Sequence, residues 1–387
     1  MTRIYIVRHA EAEGNLYRRI HGQYDSLVTP QGYRQIEALE RRFQDIHIDA
    51  VYSSDLYRTR MTAKAIYRPK GLPLRLEPGL REIAMGRWED ETWAGGARSD
   101  PEEMGKFSSS ATDYQGVGGE NFAQVQSRVT GAFRKIAEAN DGRTIACVSH
   151  GVAIRTAMTA FLGYGLDRLG EILPSDNTAV SLVEYENGTF RVVFYDDNSH
   201  LGEELSTLAR QTWWRDQEAA TPMEDENVWY RPWDPVAEEQ LYRRDRQEAW
   251  ADVHGDALPC PIERFCAQAK AASEENPAAV MVAMVGEETA GILQMDLHRF
   301  QEEGAGYIPF FYMNPRYRKH GLGVQLIGQA VGTFRPLGRD RLRLRCSPEN
   351  AVAQRFYARN EFRSIGPAED SDVPLELMEK FIGYSDE

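Results

Sequence analysis

Arg3-Ile4-Tyr5-Ile6-Val7-Arg8-His9 is the stretch that decides the fold of the first half of the chain. Its β-branched and aromatic residues predict a short strand that ends in an arginine and a histidine. A later apolar run, residues 144–148, leads in the same way into Ser149-His150-Gly151. Open α/β folds bind ligands at the carboxyl ends of their strands, so we expect the two histidines to share one phosphate pocket. A histidine at a strand end is also a common structural residue, so the residues around it have to distinguish a catalytic role from a structural one.

Strand-like and helix-like segments alternate up to about residue 200, which is typical of a mostly parallel sheet covered by helices. The predicted strands lie near residues 3–8, 49–53, 143–149, 178–186 and 189–196, and the predicted helices at 30–44, 55–67, 119–140 and 151–162. The segment 86–118 is rich in glycine, serine and charged residues. We interpret it as a surface excursion over the strand ends.

The length of 387 residues exceeds what one hydrophobic core usually organises, so we expect two domains. Hydrophobic residues make up 42% and charged residues 27%, which is ordinary for globular proteins and argues against long disorder. The formal net charge of -14 provides no summed positive field to attract polyanions. We therefore expect neither a nucleic-acid nor an anionic-membrane partner.

The cysteine pattern argues against metal and disulfide frameworks. Cys147, Cys260, Cys266 and Cys346 form no CxxC pair and have no histidines at zinc-ligand spacing, so they are predicted to be reduced thiols and no metal site is expected. The sequence shows no signal-peptide pattern and no run of about 20 apolar residues. These features predict a cytoplasmic protein.

Other residues of the first half suit phosphoryl chemistry. Arg58 lies just past a predicted strand at the opening of a helix, where its guanidinium and the helix amino terminus both favour an anion. Arg8 supplies a second guanidinium. Glu82 is a candidate acid for protonating a leaving oxygen. A nucleophile, charge clamps and an acid are all present.

With these pieces in order, residues 1 to about 201 resemble the histidine phosphatase superfamily, which includes the cofactor-dependent phosphoglycerate mutases. The matching segments are residues 8–15, 53–59, 80–82, 149–151 and 198–201. The resemblance implies a phosphoglycerate-mutase-like three-layer α/β/α domain in which His9 Nε2 attacks phosphorus and water then hydrolyses the phosphohistidine. It also implies that Arg8, Arg58 and His150 hold the phosphate oxygens, that Glu82 protonates the leaving alcohol, and that Asn15, Gln23 and Gly151 add phosphate contacts. No cofactor is required for this chemistry.

Two departures from the family pattern concern the residues after the nucleophile. Ala10 stands where glycine is common, and Ala12 where a small hydroxyl is common. Ala10 is tolerated if its φ is negative, and loss of the hydroxyl weakens phosphate binding only modestly. The interval between Glu82 and His150 is too short for the capping insertions of the mutases. Hydrolysis of a small phosphate ester is therefore favoured over mutase-type activity.

Residues 206–226 lose the strand alternation and end in an acidic, proline-containing stretch, which predicts a linker between domains at 1–205 and 227–387. Beyond it, we expect a strand at 228–233, helical segments, strands at 279–286, 289–297 and 305–313, and then a helix, a strand, a helix and one final strand. Arg318-Lys319-His320-Gly321-Leu322-Gly323 falls between a strand and an apolar helix. Such a glycine loop at a helix amino terminus suits a phosphate-bearing cofactor.

Asn350 opens a later helix that carries Phe356 and Tyr357, and together with the glycine loop it resembles the GNAT acetyltransferase family. The resemblance implies a mixed-sheet α/β fold that binds acetyl-CoA through the loop 318–323 and Asn350, with the backbone near Met313 pairing with pantetheine. It makes Tyr357 the candidate acid that reprotonates the CoA thiolate, and an amine the acceptor.

Two positions in this half stay open. Asn360 stands where the family commonly has glycine, and asparagine tolerates a left-handed helix cap. The general base for the amine is not placed: Glu302 and Glu303 precede the right strand, and they are equally typical of solvated loop charges.

The sequence thus predicts a phosphomonoesterase fused to an acetyl-CoA-dependent N-acetyltransferase. One alternative is that the acetyltransferase-like half is a non-catalytic CoA- or metabolite-binding module that regulates the phosphatase. Another is a phosphoprotein phosphatase, which needs an open pocket rather than one covered by residues 86–118. The sequence leaves the oligomeric state open.

Overall fold

A computed structural model describes residues 1–211, 222–255, 258–369, 371 and 373–385. The chain divides into two compact units, Met1–Asp225 and Glu226–Glu387. Residues 212–221 of the predicted linker lie outside the described residues. The linker's earlier part is held to the first unit, because the Asp176 carboxylate accepts hydrogen bonds from the Ser206 hydroxyl and the backbone N–H of Thr207. Among the described residues, no helix is both long and apolar enough to cross a membrane.

The first unit is built on a six-stranded sheet in the order β3-β2-β4-β1-β5-β6. Its strands are β1 (Thr2–Arg8), β2 (Ala50–Ser53), β3 (Leu74–Leu76), β4 (Thr144–Ser149), β5 (Val180–Glu186) and β6 (Thr189–Asp197). Its helices are α1 (Glu13–Tyr17), α2 (Pro30–Phe43), α3 (Tyr57–Tyr67), α4 (Trp93–Ser99), α5 (Pro101–Ser108), α6 (Phe122–Glu138), α7 (Gly151–Phe161) and α8 (Gly202–Leu205). Strands β1 to β4 run parallel, and β5 and β6 complete the sheet in antiparallel pairs.

The alternation of apolar residues along β1 explains the layers. Ile4 and Ile6 enter a core that includes buried residues of α6 and α7, whereas Val7 enters a second core with α2 and α3. Because successive side chains of a strand point to opposite faces, both faces of the sheet are buried. The predicted three-layer α/β/α fold is confirmed.

The pairing of β1 with β4 positions the site. The two strands are parallel and in register, with Arg8 opposite Ser149. The residues that follow, His9 and His150, therefore leave the sheet at the same edge. This register places two histidines that are far apart in the sequence side by side.

The segment 86–118 differs from its prediction. It contains α4 and α5, and its aromatic side chains enter the core: Trp88 and Tyr114 are each only 1% exposed and stack with ring centroids 6.3 Å apart. The surface interpretation is wrong for these residues, since the glycine and serine content concealed a set of large aromatic side chains whose burial is strongly favourable.

The second unit contains a seven-stranded mixed sheet in the order β12-β13-β11-β10-β9-β8-β7. Its strands are β7 (Trp229–Pro232), β8 (Val280–Val285), β9 (Glu288–Asp296), β10 (Ala305–Met313), β11 (Arg341–Cys346), β12 (Arg363–Pro367) and β13 (Glu376–Phe381). Its helices are α9 (Glu239–His254), α10 (Ile262–Glu275), α11 (Gly323–Phe334) and α12 (Ala351–Arg359). The single final strand of the prediction is an antiparallel pair, β12 and β13.

Strands β10 and β11 are the only parallel neighbours in this sheet as described, and they separate part-way along. Their pairing ends at Ile308 opposite Leu344. Strand β10 is irregular at the same place, between Tyr307 and Phe310, where Pro309 has no N–H to offer. The separation leaves an opening beside β10.

Candidate active sites

His9 is buried immediately after β1, and its tautomer follows from one hydrogen bond. Its Nδ1 lies 2.8 Å from the carbonyl oxygen of Ala10. A carbonyl only accepts, so Nδ1 carries the proton and Nε2 keeps its lone pair. Burial lowers the pKa of His9 well below its usual value, and the positive charges of Arg58 and Arg8 lower it further. His9 is thus a neutral imidazole with Nε2 available as a nucleophile.

His150 stands at the N-cap position of α7, with its ring centroid 5.3 Å from that of His9. Its Nε2 is 2.9 Å from the Ser54 hydroxyl, and its buried Nδ1 has no hydrogen-bond partner within the described residues. Burial lowers the pKa of His150 well below its usual value, with the Arg58 charge as the next cause. A ligand oxygen could supply the missing partner.

The two arginines are held by backbone carbonyls. Arg58, at the start of α3, donates from Nη2 to Gly22 O at 2.6 Å and from Nη1 to Tyr24 O at 3.0 Å. Arg8 donates from Nη1 to Ser175 O, while its buried Nε has no partner among the described residues. In the described part of the chain, neither guanidinium forms a salt bridge. Carbonyls orient these cations without neutralising them, so both positive charges stay available for a phosphate.

Glu82 joins the cluster through the first turn of α7. Its Oε1 accepts from the Ala153 N–H at 2.9 Å, and its Oε2 from the Val152 N–H at 3.1 Å. A Cβ at Gly151 would lie 3.5 Å from Arg8 Nε and 3.7 Å from Glu82 Oε2. Glycine therefore leaves space between the carboxyl group and the guanidinium, where a small ligand group can enter.

Gln23 and Asn15 are placed differently. Gln23 is next to the cluster, because its Nε2 donates to the Glu82 carbonyl oxygen at 3.1 Å. Asn15 belongs to the capping box of α1, where its Oδ1 accepts from the Ala12 N–H at 3.1 Å. The contacts in the described residues do not join Asn15 to the other predicted site residues. Ala10, the departure next to the nucleophile, has a negative φ, as its tolerance requires.

Sequence reasoning missed the residues that support this cluster. Asn177 donates from Nδ2 to the His9 carbonyl oxygen at 2.9 Å, and the Thr178 N–H donates to Arg8 O at 3.1 Å. The charge of the half-buried His21 also contributes to the lowered pKa of His9. The one available signal was the polar run Ser175-Asp176-Asn177-Thr178 just before a predicted strand.

Comparison with known families agrees with this geometry. Residues 4–198, half of the chain, match the family model of the histidine phosphatase superfamily (branch 1). The chain belongs to the histidine phosphatase superfamily. Its first unit is therefore called the phosphatase unit below.

The proteins that are similar to the phosphatase unit carry the names of two activities, phosphatase and mutase. The chain is 30% identical over 203 residues to phosphoserine phosphatase 1 of Hydrogenobacter thermophilus, covering 52% of this chain and 96% of the relative. It is 32% identical over 187 residues to the probable phosphoglycerate mutase GpmB of Escherichia fergusonii, covering 48% of this chain and 86% of the relative. Among solved structures, Bacillus stearothermophilus YhfR is 32% identical with a TM-score of 0.50, covering 52% of this chain and 99% of that one.

Residues 232–362 match the acetyltransferase (GNAT) family, so the second unit is called the GNAT unit. The family match confirms the predicted fusion and implies use of an acyl-CoA. The unit contains a cavity of about 1710 Å³ beside the opening between β10 and β11. The predicted cofactor residues that line it are Met313, Arg318, Lys319, Gly321, Gly323 and Asn350, and Tyr357 lines it as well.

The glycine loop fits a phosphate-bearing cofactor in its backbone. Gly321 has φ +78° and Gly323 begins α11, where an added Cβ would meet the Phe356 ring at 3.2 Å. Both positions favour glycine. His320 and Leu322 are not among the lining residues, and Leu322 is buried in the core.

Two predicted cofactor contacts have protein partners. Arg318 Nε donates to the Met313 carbonyl oxygen at 2.7 Å, which occupies the backbone group expected to pair with pantetheine. Arg318 Nη1 also lies 2.8 Å from Asp252. The Asn350 side chain caps α12 by accepting from the Ala353 N–H at 3.0 Å. These contacts hold the side chains of Arg318 and Asn350 in place in the cavity wall.

Tyr357 is buried on α12, with rings of Phe311 and Phe356 against it. Burial raises the pKa of Tyr357, and the nearby Cys346 thiol raises it further. The phenol therefore keeps its proton at neutral pH, as a general acid must.

The expectation of a left-handed cap at Asn360 is wrong, and the structure favours one of the two interpretations left open for Glu302 and Glu303. Asn360 has φ −100°, and the left-handed residue is Glu361 at φ +67°. The helix ends at Arg359, and the left-handed residue comes two positions later. Glu302 and Glu303 do not line the cavity, and Glu303 pairs with Arg343, which favours their interpretation as loop charges.

Proposed function

We propose that this chain is a bifunctional enzyme that hydrolyses a small phosphate monoester and transfers an acetyl group from acetyl-CoA to an amine. The observation that carries the phosphatase proposal is the Nδ1–H of His9 bound to Ala10 O, beside two guanidinium groups that have no salt bridge in the described residues. Phosphoryl transfer depends mainly on positioning and charge neutralisation, and this arrangement offers both. The four unpaired cysteines suit a cytoplasmic enzyme.

The proposed reaction has two displacements. His9 Nε2 forms a bond to phosphorus as the P–O bond to the alcohol breaks, and Glu82 donates a proton to the departing oxygen. Water then attacks phosphorus, its proton returns to Glu82, and the P–N bond breaks to release phosphate and neutral His9. Arg8 and Arg58 neutralise the phosphate oxygens throughout, and His150 adds a hydrogen bond.

Phosphoserine is the first substrate to test, because the phosphoserine phosphatase of Hydrogenobacter thermophilus aligns over 96% of its length. The mutase relative makes 3-phosphoglycerate isomerisation the second candidate. Hydrolysis is favoured because the interval between Glu82 and His150 holds only two short helices in its described part, α4 and α5, before α6.

In the GNAT unit, the loop 318–323 and the amino terminus of α11 would hold the cofactor phosphates. Acetyl-CoA supplies, when bound, a thioester whose carbonyl carbon an amine can attack. Tyr357 holds the proton that the sulfur leaving group needs. The opening between β10 and β11 gives a linear group access to this tyrosine.

The phosphatase mechanism is tested by trapping the covalent intermediate. Rapid acid-free quenching with labelled phosphoserine should leave base-stable, acid-labile label on the wild-type chain and none on His9→Ala, which should also lose turnover of an aryl phosphate. His47→Ala is the matched control, because His47 is exposed and pairs with Asp49 outside the site. Normal aryl phosphatase activity in His9→Ala would refute the mechanism.

A further inference from the structure

Arg246 of α9 is a guanidinium placed in the cavity wall without an acidic partner. It lies between two aromatic rings, with Cζ 3.8 Å from the ring centroid of Phe265 and 4.4 Å from that of Phe310. Its Nη1 donates to the carbonyl oxygen of Pro309 at 3.1 Å. Among the described residues it forms no salt bridge. The rings remove water from the cation and compensate only part of that cost, so an anion is favoured beside it.

Arg246 contacts strand β10, through Pro309 and Phe310. Pro309 and Phe310 lie at the irregularity of β10, where this strand leaves β11. The next residue, Phe311, contacts the ring of Tyr357 at a centroid distance of 5.9 Å. Successive side chains of a strand point to opposite faces, so Arg246 and Tyr357 stand on opposite faces of β10, and both line the one cavity beside the opening between β10 and β11. The guanidinium therefore lies across the strand from Tyr357, where it can hold an acceptor on the face opposite the proposed acid.

The carboxylates that line the described cavity have other partners. Asp252 pairs with Arg318 at 2.8 Å, and Glu275 with His298 at 2.5 Å. Asp296 accepts backbone N–H groups of the turn that follows β9. None of them neutralises the guanidinium on α9. A bound anion is therefore the remaining source of compensating charge in the described unit.

We propose that Arg246 binds a carboxylate of the acceptor, so that the acceptor is an amine that also carries a carboxylate, such as a free α-amino acid. The proposal rests on the acetyltransferase function proposed above. A guanidinium binds a carboxylate through two parallel hydrogen bonds, which would fix the distance from this anchor to the reacting amine. An amino acid released by the phosphatase unit would be one such acceptor.

The test compares a panel of L-α-amino acids with their carboxamides, in the full-length chain, by following release of the CoA thiol. The carboxamides keep the amine and lose only the anionic charge. The wild type should prefer the acids, and Arg246→Gln should lower kcat/KM for the best acid about ten- to hundredfold with little change for its carboxamide. Arg246→Lys keeps the charge and should retain part of the preference. Arg363→Gln, an exposed arginine on β12, is the matched control.

Two binding measurements accompany the rates. Calorimetric titration should show binding of the best acid to wild type and Arg363→Gln and not to Arg246→Gln, while acetyl-CoA binds all three equally. Equal loss for acids and carboxamides in Arg246→Gln, or equal use of both by the wild type, would overturn the carboxylate proposal alone. Failure of the wild type to bind acetyl-CoA would overturn the acetyltransferase function, and this proposal with it.

Discussion

His9 and His150 are buried beside two cations, and this environment determines their protonation. Because burial and the neighbouring guanidinium charges lower both pKa values, neither imidazole takes up a proton near neutral pH. The acid limb that His9 imposes on kcat/KM should therefore lie below about pH 6.5, the value of an unperturbed histidine, because kcat/KM reports the ionisations of the free enzyme. Assays of kcat/KM with an aryl phosphate across this range, compared with the ionisation of the substrate itself, would check it. An acid limb at or above that pH that the ionisation of the substrate does not explain would contradict the assignment.

Ser54 is a positioning residue for His150. Its hydroxyl lies 2.9 Å from His150 Nε2, and both groups are buried. Removing one partner of a buried hydrogen bond costs about 1–3 kcal/mol, so Ser54→Ala should lower aryl phosphatase kcat/KM by about tenfold or more. Ser53→Ala is the control, because Ser53 is equally buried and donates only to the Ser54 carbonyl oxygen. Rates and melting temperatures of the two variants should be compared, and equal effects on rate would exclude the positioning role.

Single residues also show what the sequence could and could not predict of the site. His9, Arg8, Arg58 and His150 stand at the ends of strands or the starts of helices, so their convergence follows from the topology of a parallel sheet. Ser54 and Asn177 act through hydrogen bonds to a ring nitrogen and a backbone carbonyl. Such contacts depend on loop paths, and no periodicity or spacing encodes them.

Gly32 and Gly131 lie inside the two long helices α2 and α6 of the phosphatase unit, and packing gives these glycines opposite roles. An added Cβ at Gly131 in α6 would meet no atom within 4 Å, whereas one at Gly32 in α2 would lie 2.2 Å from the Glu11 carbonyl oxygen. Gly131→Ala should therefore raise the free energy of unfolding by about 0.5–1 kcal/mol, the helix propensity difference. Gly32→Ala should lower it by about 1–3 kcal/mol through overpacking.

Urea denaturation followed by loss of aryl phosphatase activity measures both glycine variants in one design. Each variant serves as the control for the other, since the substitution and the secondary structure are the same and only the surroundings differ. A loss of stability in Gly131→Ala would show that helix propensity does not determine the free energy of unfolding at this exposed position.

At the level of elements, the strands and long helices were predictable and the irregular segments were not. The alternation of apolar residues located β1 and β4 to within one or two residues. The sequence predicts one strand where the structure has the pair β12 and β13, because β12 is short, largely exposed and ends in Gly366-Pro367, which weakens its β signal. The left-handed turn falls on Glu361 rather than Asn360, although asparagine adopts this conformation more readily than glutamate, so residue preference alone does not locate the turn.

The molecule as a whole joins two families that each have their own core, and its composition does not reveal why. The net charge of -14 coexists with local cationic sites in each unit. A summed charge argues against attraction of polyanions but does not describe a pocket, so local anion sites have to be located residue by residue. Whether a ligand of one unit changes the activity of the other unit can be measured.

Acetyl-CoA should stabilise the GNAT unit without changing the phosphatase rate if both units are catalysts. A ligand at about 100 times its Kd adds about 2.7 kcal/mol to the stability of the state that binds it, so thermal unfolding of the full chain should shift upward with acetyl-CoA. Gly321→Val should abolish this shift, because a β-branched residue is strained at φ +78°. Aryl phosphatase kcat, measured in parallel, should be the same with and without acetyl-CoA in both proteins. The opposite outcome has two parts: acetyl-CoA changes the phosphatase rate in the wild type only, and no CoA thiol is released across the amine panel. That outcome would establish the GNAT unit as a regulatory module, because a ligand alters a distant reaction only through a coupling free energy between the sites.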